Sequence, residues 1–205
     1  MLKAEDGMTL DWHLDRAPVP GLPTSGFLHP VADELRELLI KSILYAAQQS
    51  GRTLPMLWYY PRNLPALGHL SHDTDGHNVD LGQRLLEMLA EIDVRGTWCV
   101  IMPGYPKELY QALAAAGHEI ALHFDALEMG PLSEFTEANL RAQHAWLKAA
   151  SGITPVSNKN HYTRWEGRLQ FFEWCERLGL RAEQSRGPSK IGATGFPFGT
   201  AHPYF

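Results

Sequence analysis

The sequence predicts an α/β protein built on a parallel sheet, and three observations carry that prediction. From about residue 67 onward, short apolar runs alternate with amphipathic stretches, the pattern of successive strand and helix units. Asp73, Asp75, His123, Asp125, Asn160 and His161 fall at or just past the C-terminal ends of different predicted strands. Barrel enzymes assemble their sites at such ends, so a site built from several strand ends is expected, while the repeating pattern alone suits an open sheet and a closed barrel equally. The 205 residues, 44% hydrophobic, suffice for one substantial core and are few for two.

Residues 1–30 are rich in Pro and Gly and read as an irregular arm. Val31, Leu35, Leu38, Leu39, Ile43 and Ala46 form the stripe of an amphipathic helix from Val31 to Gln49, with Gly51 as its stop. Leu54 to Tyr60 is apolar and aromatic and reads as a strand closed by Pro61. These parts, 1–60, form an arm, helix and strand joined to a main domain at 61–205. Within that domain strand 67–73 precedes helix 80–93, strand 96–102 precedes helix 106–116, and strand 118–123 precedes helix 133–150. Strand 153–158 precedes helix 166–178, then come strand 180–184 and a last strand near 194–200. An ending in strand and loop suggests a piece of a longer barrel, truncated at the C-terminus.

A net charge of -5 lacks the basic footprint of a nucleic-acid binder. The start has no secretory pattern and no run reaches the length of a membrane span, which predicts a soluble protein. Cys99 and Cys175 belong to no Cys-x-x-Cys spacing, so neither a disulfide framework nor a thiolate site is suggested, and a cytoplasmic location fits. Ten His residues, about twice the usual share, favour metal chemistry.

The most informative segment is Ser71-His72-Asp73-Thr74-Asp75-Gly76. A strand's two-residue period puts Asp73 and Asp75 on one face, where paired carboxylates need a metal, a shared proton or a cation. A plain turn, with Asp80 capping the next helix, is the alternative. A calcium loop fails, because counting from Asp73 puts Asn78 at the Gly position and Arg84 at the Glu position. Next, Gly117-His118-Glu119-Ile120-Ala121-Leu122-His123 ends a helix and delivers His123 to a strand end, where an imidazole serves as a ligand or a hydrogen-bonding group. His118, at the other end, is structural. Last, Asn158-Lys159-Asn160-His161-Tyr162-Thr163-Arg164-Trp165 offers aromatic walls, cations and an imidazole, and equally reads as a solvated loop with an aromatic anchor.

Together these segments resemble the polysaccharide deacetylase family, of the NodB-homology or carbohydrate esterase 4 type, in its divergent His-Asp-x-Asp branch. Ser71-His72-Asp73-Thr74-Asp75 is similar to that branch's first motif, and Gly117 to His123 is similar to its Gly-His-Glu-Ile-Gly-x-His. Arg95-Gly96-Thr97-Trp98-Cys99-Val100 resembles the family's Ala-Thr-Phe-Phe-Val strand. Asn160-His161-Tyr162 with Arg164-Trp165 resembles Arg-x-His-Tyr-Leu-Arg-Trp, and Gly199-Thr200-Ala201-His202-Pro203 resembles Gly-Thr-x-His-Pro.

The resemblance covers about Leu67 to the C-terminus. It implies a distorted (β/α) barrel of seven or eight strands and metal-dependent hydrolysis of N-acetyl or O-acetyl groups on sugars, commonly with zinc. By motif position Asp73 is the general base, Asp75 a metal ligand and His123 the second ligand. The sequence departs at Leu127, where the family places another His, and at Lys159, where it places Arg. A third ligand must then come from elsewhere: His161 and His202 lead, ahead of His77 and Asp125.

The expected reaction is metal-assisted hydrolysis with Asp73 taking the water's proton and His202 protonating the leaving amine. His161 completes the ligand set, and Lys159, Tyr162 and Trp165 hold the sugar. The setting it suggests is editing of a nucleotide-linked or lipid-linked sugar during surface polysaccharide synthesis. The rival expectation, resting on Leu127, is an impaired barrel that binds a glycan or protein. A Ser-nucleophile hydrolase is disfavoured because no Gly-x-Ser-x-Gly elbow occurs.

Overall fold

The structure is a computed structural model that describes residues 29–56, 60–127, 133–167, 169–185 and 200–201. The chain divides into two compact units, one containing the span Ala17–Gly68 and the other the span His69–Arg186.

In the first unit, helix α1 runs Val31–Gln49, as its stripe predicts. Its Leu35, Leu38, Leu39 and Ile43 are exposed rather than packed. Asp33 in its first turn is buried and accepts hydrogen bonds from Thr200 Oγ1 and the Ala201 N–H, both at 2.6 Å, besides its ion pair with Arg36 at 2.9 Å. The strand expected over Leu54 to Tyr60 does not form at 54–56 or at 60, while 57–59 fall outside the described residues. Leu54 and Met56 are exposed, and an apolar run needs an edge to pair with before it becomes a strand.

The second unit is a five-stranded parallel sheet: β1 Ser71–Asp73, β2 Thr97–Val100, β3 Glu119–Leu122, β4 Ser157–Asn158 and β5 Ala182–Glu183. Spatial order follows chain order without reversal. Right-handed crossovers that always step the same way keep the helices on one face, so the sheet curls as half a barrel rather than as an open doubly wound sheet. The α/β expectation holds.

Helices α2 Val79–Glu91, α3 Lys107–Ala115, α4 Glu137–Ser151 and α5 Gln170–Leu178 follow β1 to β4 in turn. The cap of α2 is Asn78, whose side chain accepts from the Leu81 N–H at 2.9 Å, rather than Asp80. The start of α4 is later than its pattern suggests because Thr136 caps it, accepting from the Asn139 N–H. Trp98 and Val100 pair with Ile120 and Leu122 in register, and these four join Leu109, Leu113, Leu140, Leu147 and Phe171 in the core. On the alternate face Thr97 Oγ1 and Ser157 Oγ donate to the two oxygens of Glu119 at 2.6 and 2.8 Å. His118 is structural, its Nδ1 accepting the Gly96 N–H at 3.1 Å. Of the last expected strand, only residue 200 is described, and it is not in a strand. Among the described residues no helix is long and apolar enough to cross a membrane.

Candidate metal centre

Parallel pairing delivers the site. Asp73 ends β1, and the ladder runs on past the strands through Thr74 N–H to Cys99 O, His123 N–H to Val100 O and Lys159 N–H to Leu122 O. His161 N–H then bonds Phe124 O at 2.8 Å. Side chains from three strand ends are thereby brought together.

Asp75 Oδ1 lies 3.2 Å from His123 Nε2 and 3.5 Å from His161 Nδ1, and those two nitrogens are 3.2 Å apart. The imidazoles are buried, while the Asp75 side chain is 56% exposed, so the triangle opens toward solvent through its carboxylate. His123 Nδ1 faces the Lys159 carbonyl oxygen at 2.6 Å, which assigns a proton to Nδ1 and turns Nε2 toward Asp75 and His161, where it can donate to the carboxylate or offer a lone pair to a metal ion. Three donor atoms facing one another can share a metal ion or, without one, protons in hydrogen bonds. Two ligands about 2.1 Å from a tetrahedral ion stand about 3.4 Å apart, so these separations suit a divalent cation. The Lys159 carbonyl supplies the orienting contact that ligand imidazoles ordinarily have.

The Asp75 carboxyl is held below the usual carboxylate range, first by its hydrogen bond with His123; partial burial opposes this and the charges of His123 and His161 add to it. Beside the triangle, Lys159 Nζ pairs with Asp73 Oδ2 at 2.9 Å.

The other expected residues fall in different places. Asp125 is buried, its Oδ1 accepts the Leu127 N–H at 2.8 Å, and its backbone is bracketed by Gln143 through N–H and carbonyl bonds. Neither Asp125 nor His77 belongs to the triangle. Tyr162 is 49% exposed with its ring against His161 at 4.3 Å between centroids. Trp165 is 4% exposed and packs on Phe171 and Phe172, so its ring is core rather than a face open to a sugar. His202 lies outside the described residues. Sequence reasoning missed the roles of Gln143, Arg164 and the Lys159 carbonyl; a dense polar run after a strand was the signal for the last two, and Gln143, inside helix α4, gave none.

No family model matches the chain, and no curated protein matches it. Solved structures do match. A protein from Mycobacterium smegmatis named as a polysaccharide deacetylase is 18% identical with a TM-score of 0.45, over 61% of this chain and 51% of that one. A peptidoglycan N-acetylglucosamine deacetylase is 17% identical, TM-score 0.43, over 57% of this chain and 55% of its own. A Bacillus anthracis protein described as a carbohydrate esterase 4 pseudoenzyme is 13% identical, TM-score 0.42, over 56% and 41%. The chain spans about half the length of these solved structures.

Proposed function

We propose that the protein is a metal-dependent hydrolase of the polysaccharide deacetylase type, removing an N-acetyl or O-acetyl group from a sugar. The observation that carries the reading is the triangle of Asp75 Oδ1, His123 Nε2 and His161 Nδ1 beside the Asp73–Lys159 ion pair. Two imidazoles and a carboxylate form a common catalytic zinc set, so zinc is the proposed ion. When bound, it supplies polarisation of an acyl carbonyl and a more acidic water. Asp73 accepts the proton of the attacking water, and the Lys159 ammonium holds that carboxylate in place. Tyr162, half exposed beside His161, offers a ring face to the sugar. His202 is proposed to return a proton to the leaving group.

The test is elemental analysis combined with an acetate-release assay on N-acetylglucosamine oligomers and acetylated xylan. Asp73→Asn should keep the metal and abolish turnover, whereas Asp75→Ala and His161→Ala should lose the metal. Undiminished turnover by Asp73→Asn sinks the assignment. The rival, a binding module without catalysis, rests on Leu127 in the expected ligand position. It is favoured by a protein that gains no zinc and still retains a glycan.

A further inference from the structure

The turn that carries His161 is strained, and a buried guanidinium braces it. Tyr162 and Thr163 lie in the left-handed region, with φ 55° and 52°. Bulky and β-branched residues adopt it only where their surroundings over-determine the backbone. Within the turn, Thr163 N–H bonds Asn160 O at 2.8 Å, and Asn160 Nδ2 donates to Arg164 O at 2.8 Å. The side chain of Arg164, only 10% exposed, then reaches outward. Its Nη1 donates to the carbonyl oxygens of Ala126 and, at 3.0 Å, Ser133; its Nε donates to Glu166 Oε1 at 2.9 Å, and Nη2 binds the same oxygen. The Phe135 ring lies beneath it at 5.9 Å. Ala126 is three residues past His123, and Arg164 is three past His161.

We propose that Arg164 is a positioning residue for the metal centre, locking the His161 turn onto the backbone that follows His123 and so setting the spacing of the two imidazoles. The inference rests on the metal-binding reading above. A planar guanidinium serves two carbonyls and a carboxylate at once, and no single ammonium can do so. Arg164→Lys therefore keeps the buried charge and loses the geometry.

Metal-free wild type, Arg164→Lys and Glu166→Gln are titrated with cobalt(II), reading affinity and the visible spectrum, with circular dichroism melts alongside. The expected result is a folded Arg164→Lys that binds cobalt 10- to 100-fold more weakly, in the range that outer-shell partners of metal ligands command. Its cobalt spectrum should be altered, and Glu166→Gln should show a smaller loss in the same direction. A folded Arg164→Lys with wild-type affinity and spectrum overturns the inference. Should Arg164→Lys fail to fold, Glu166→Gln decides: weakened binding supports the role and wild-type binding overturns it. A wild type that takes up no cobalt overturns the metal reading and this inference together, whereas wild-type binding matched by both variants overturns this inference alone.

Discussion

The carbonyl oxygen of Lys159 lies 2.6 Å from Nδ1 of His123, while Nζ of the same residue lies 2.9 Å from Asp73 Oδ2. One residue thus orients the proposed ligand through its main chain and holds the proposed base through its side chain. Lys159→Ala leaves the carbonyl in place, so zinc stoichiometry should be unchanged. The released Asp73 carboxylate should cut turnover by about 100-fold, as misplacement of a catalytic group does. Lys159→Arg should recover part of it. Equal acetate release by wild type and Lys159→Ala would remove the Asp73–Lys159 pair from the mechanism.

Asp75 gives a pH signature in the metal-free protein. Its folded-state pKa is lowered, chiefly by the hydrogen bond with His123. The ionised carboxylate therefore favours the folded state at pH values above the ordinary Asp range near 4. That contribution falls away as pH drops through the lower, folded value. More than half of the side chain is exposed, so solvent screening keeps the effect small. Thermal melts of metal-free wild type and Asp75→Asn between about pH 2 and 6 should show a flatter profile for the variant at the acid end. Parallel profiles would contradict the pairing.

Much of this was legible in the sequence because it follows from period and position. The alternation after residue 67 gave the parallel sheet, and helix α1 begins and ends where its stripe and Gly51 place it. That Asp75, His123 and His161 lie close together was readable, with His202 the alternative to His161, because each stands at a strand end and parallel strands gather their ends. Trp165 was not readable: an aromatic beside a polar run has the same one-dimensional appearance whether it walls a ligand or fills a core, and only its contacts with Phe171 and Phe172 decide. The tautomer of His123 was equally hidden, since it depends on a carbonyl 36 residues away.

The turn after β2 supplies a stability prediction. Gly104 has φ 73°, and a Cβ there would run into the Tyr110 hydroxyl and come within 3.0 Å of the Trp146 ring. That hydroxyl accepts the Tyr105 N–H at 2.9 Å and is itself fully buried, so it has little room to yield. Gly104→Ala should cost about 1–3 kcal/mol from backbone strain alone, more with the displaced hydroxyl. Tyr110→Phe, which strands the Tyr105 N–H, should cost about 1–2 kcal/mol. Chemical denaturation measures both, and a neutral Gly104→Ala would refute the turn geometry.

Removing metal should separate the site from the fold. The core of Trp98, Val100, Leu113, Leu122, Leu140 and Phe171 contains none of the proposed ligands. His123 and His161 are also fixed by carbonyl contacts, Lys159 O for the ring of one and Phe124 O for the backbone of the other, which need no ion. Unlike a zinc finger, whose fold is made by its metal, this sheet should survive chelation with its far-ultraviolet circular dichroism and cooperative melt intact. Zinc added back stabilises by mass action, about 2.7 kcal/mol at one hundred times the dissociation constant. His161→Ala should melt with the chelated wild type and gain little from added zinc. A wild type that unfolds on chelation would mean that the ion holds the sheet together; a His161→Ala that gains as much as wild type would mean that the ion is held elsewhere.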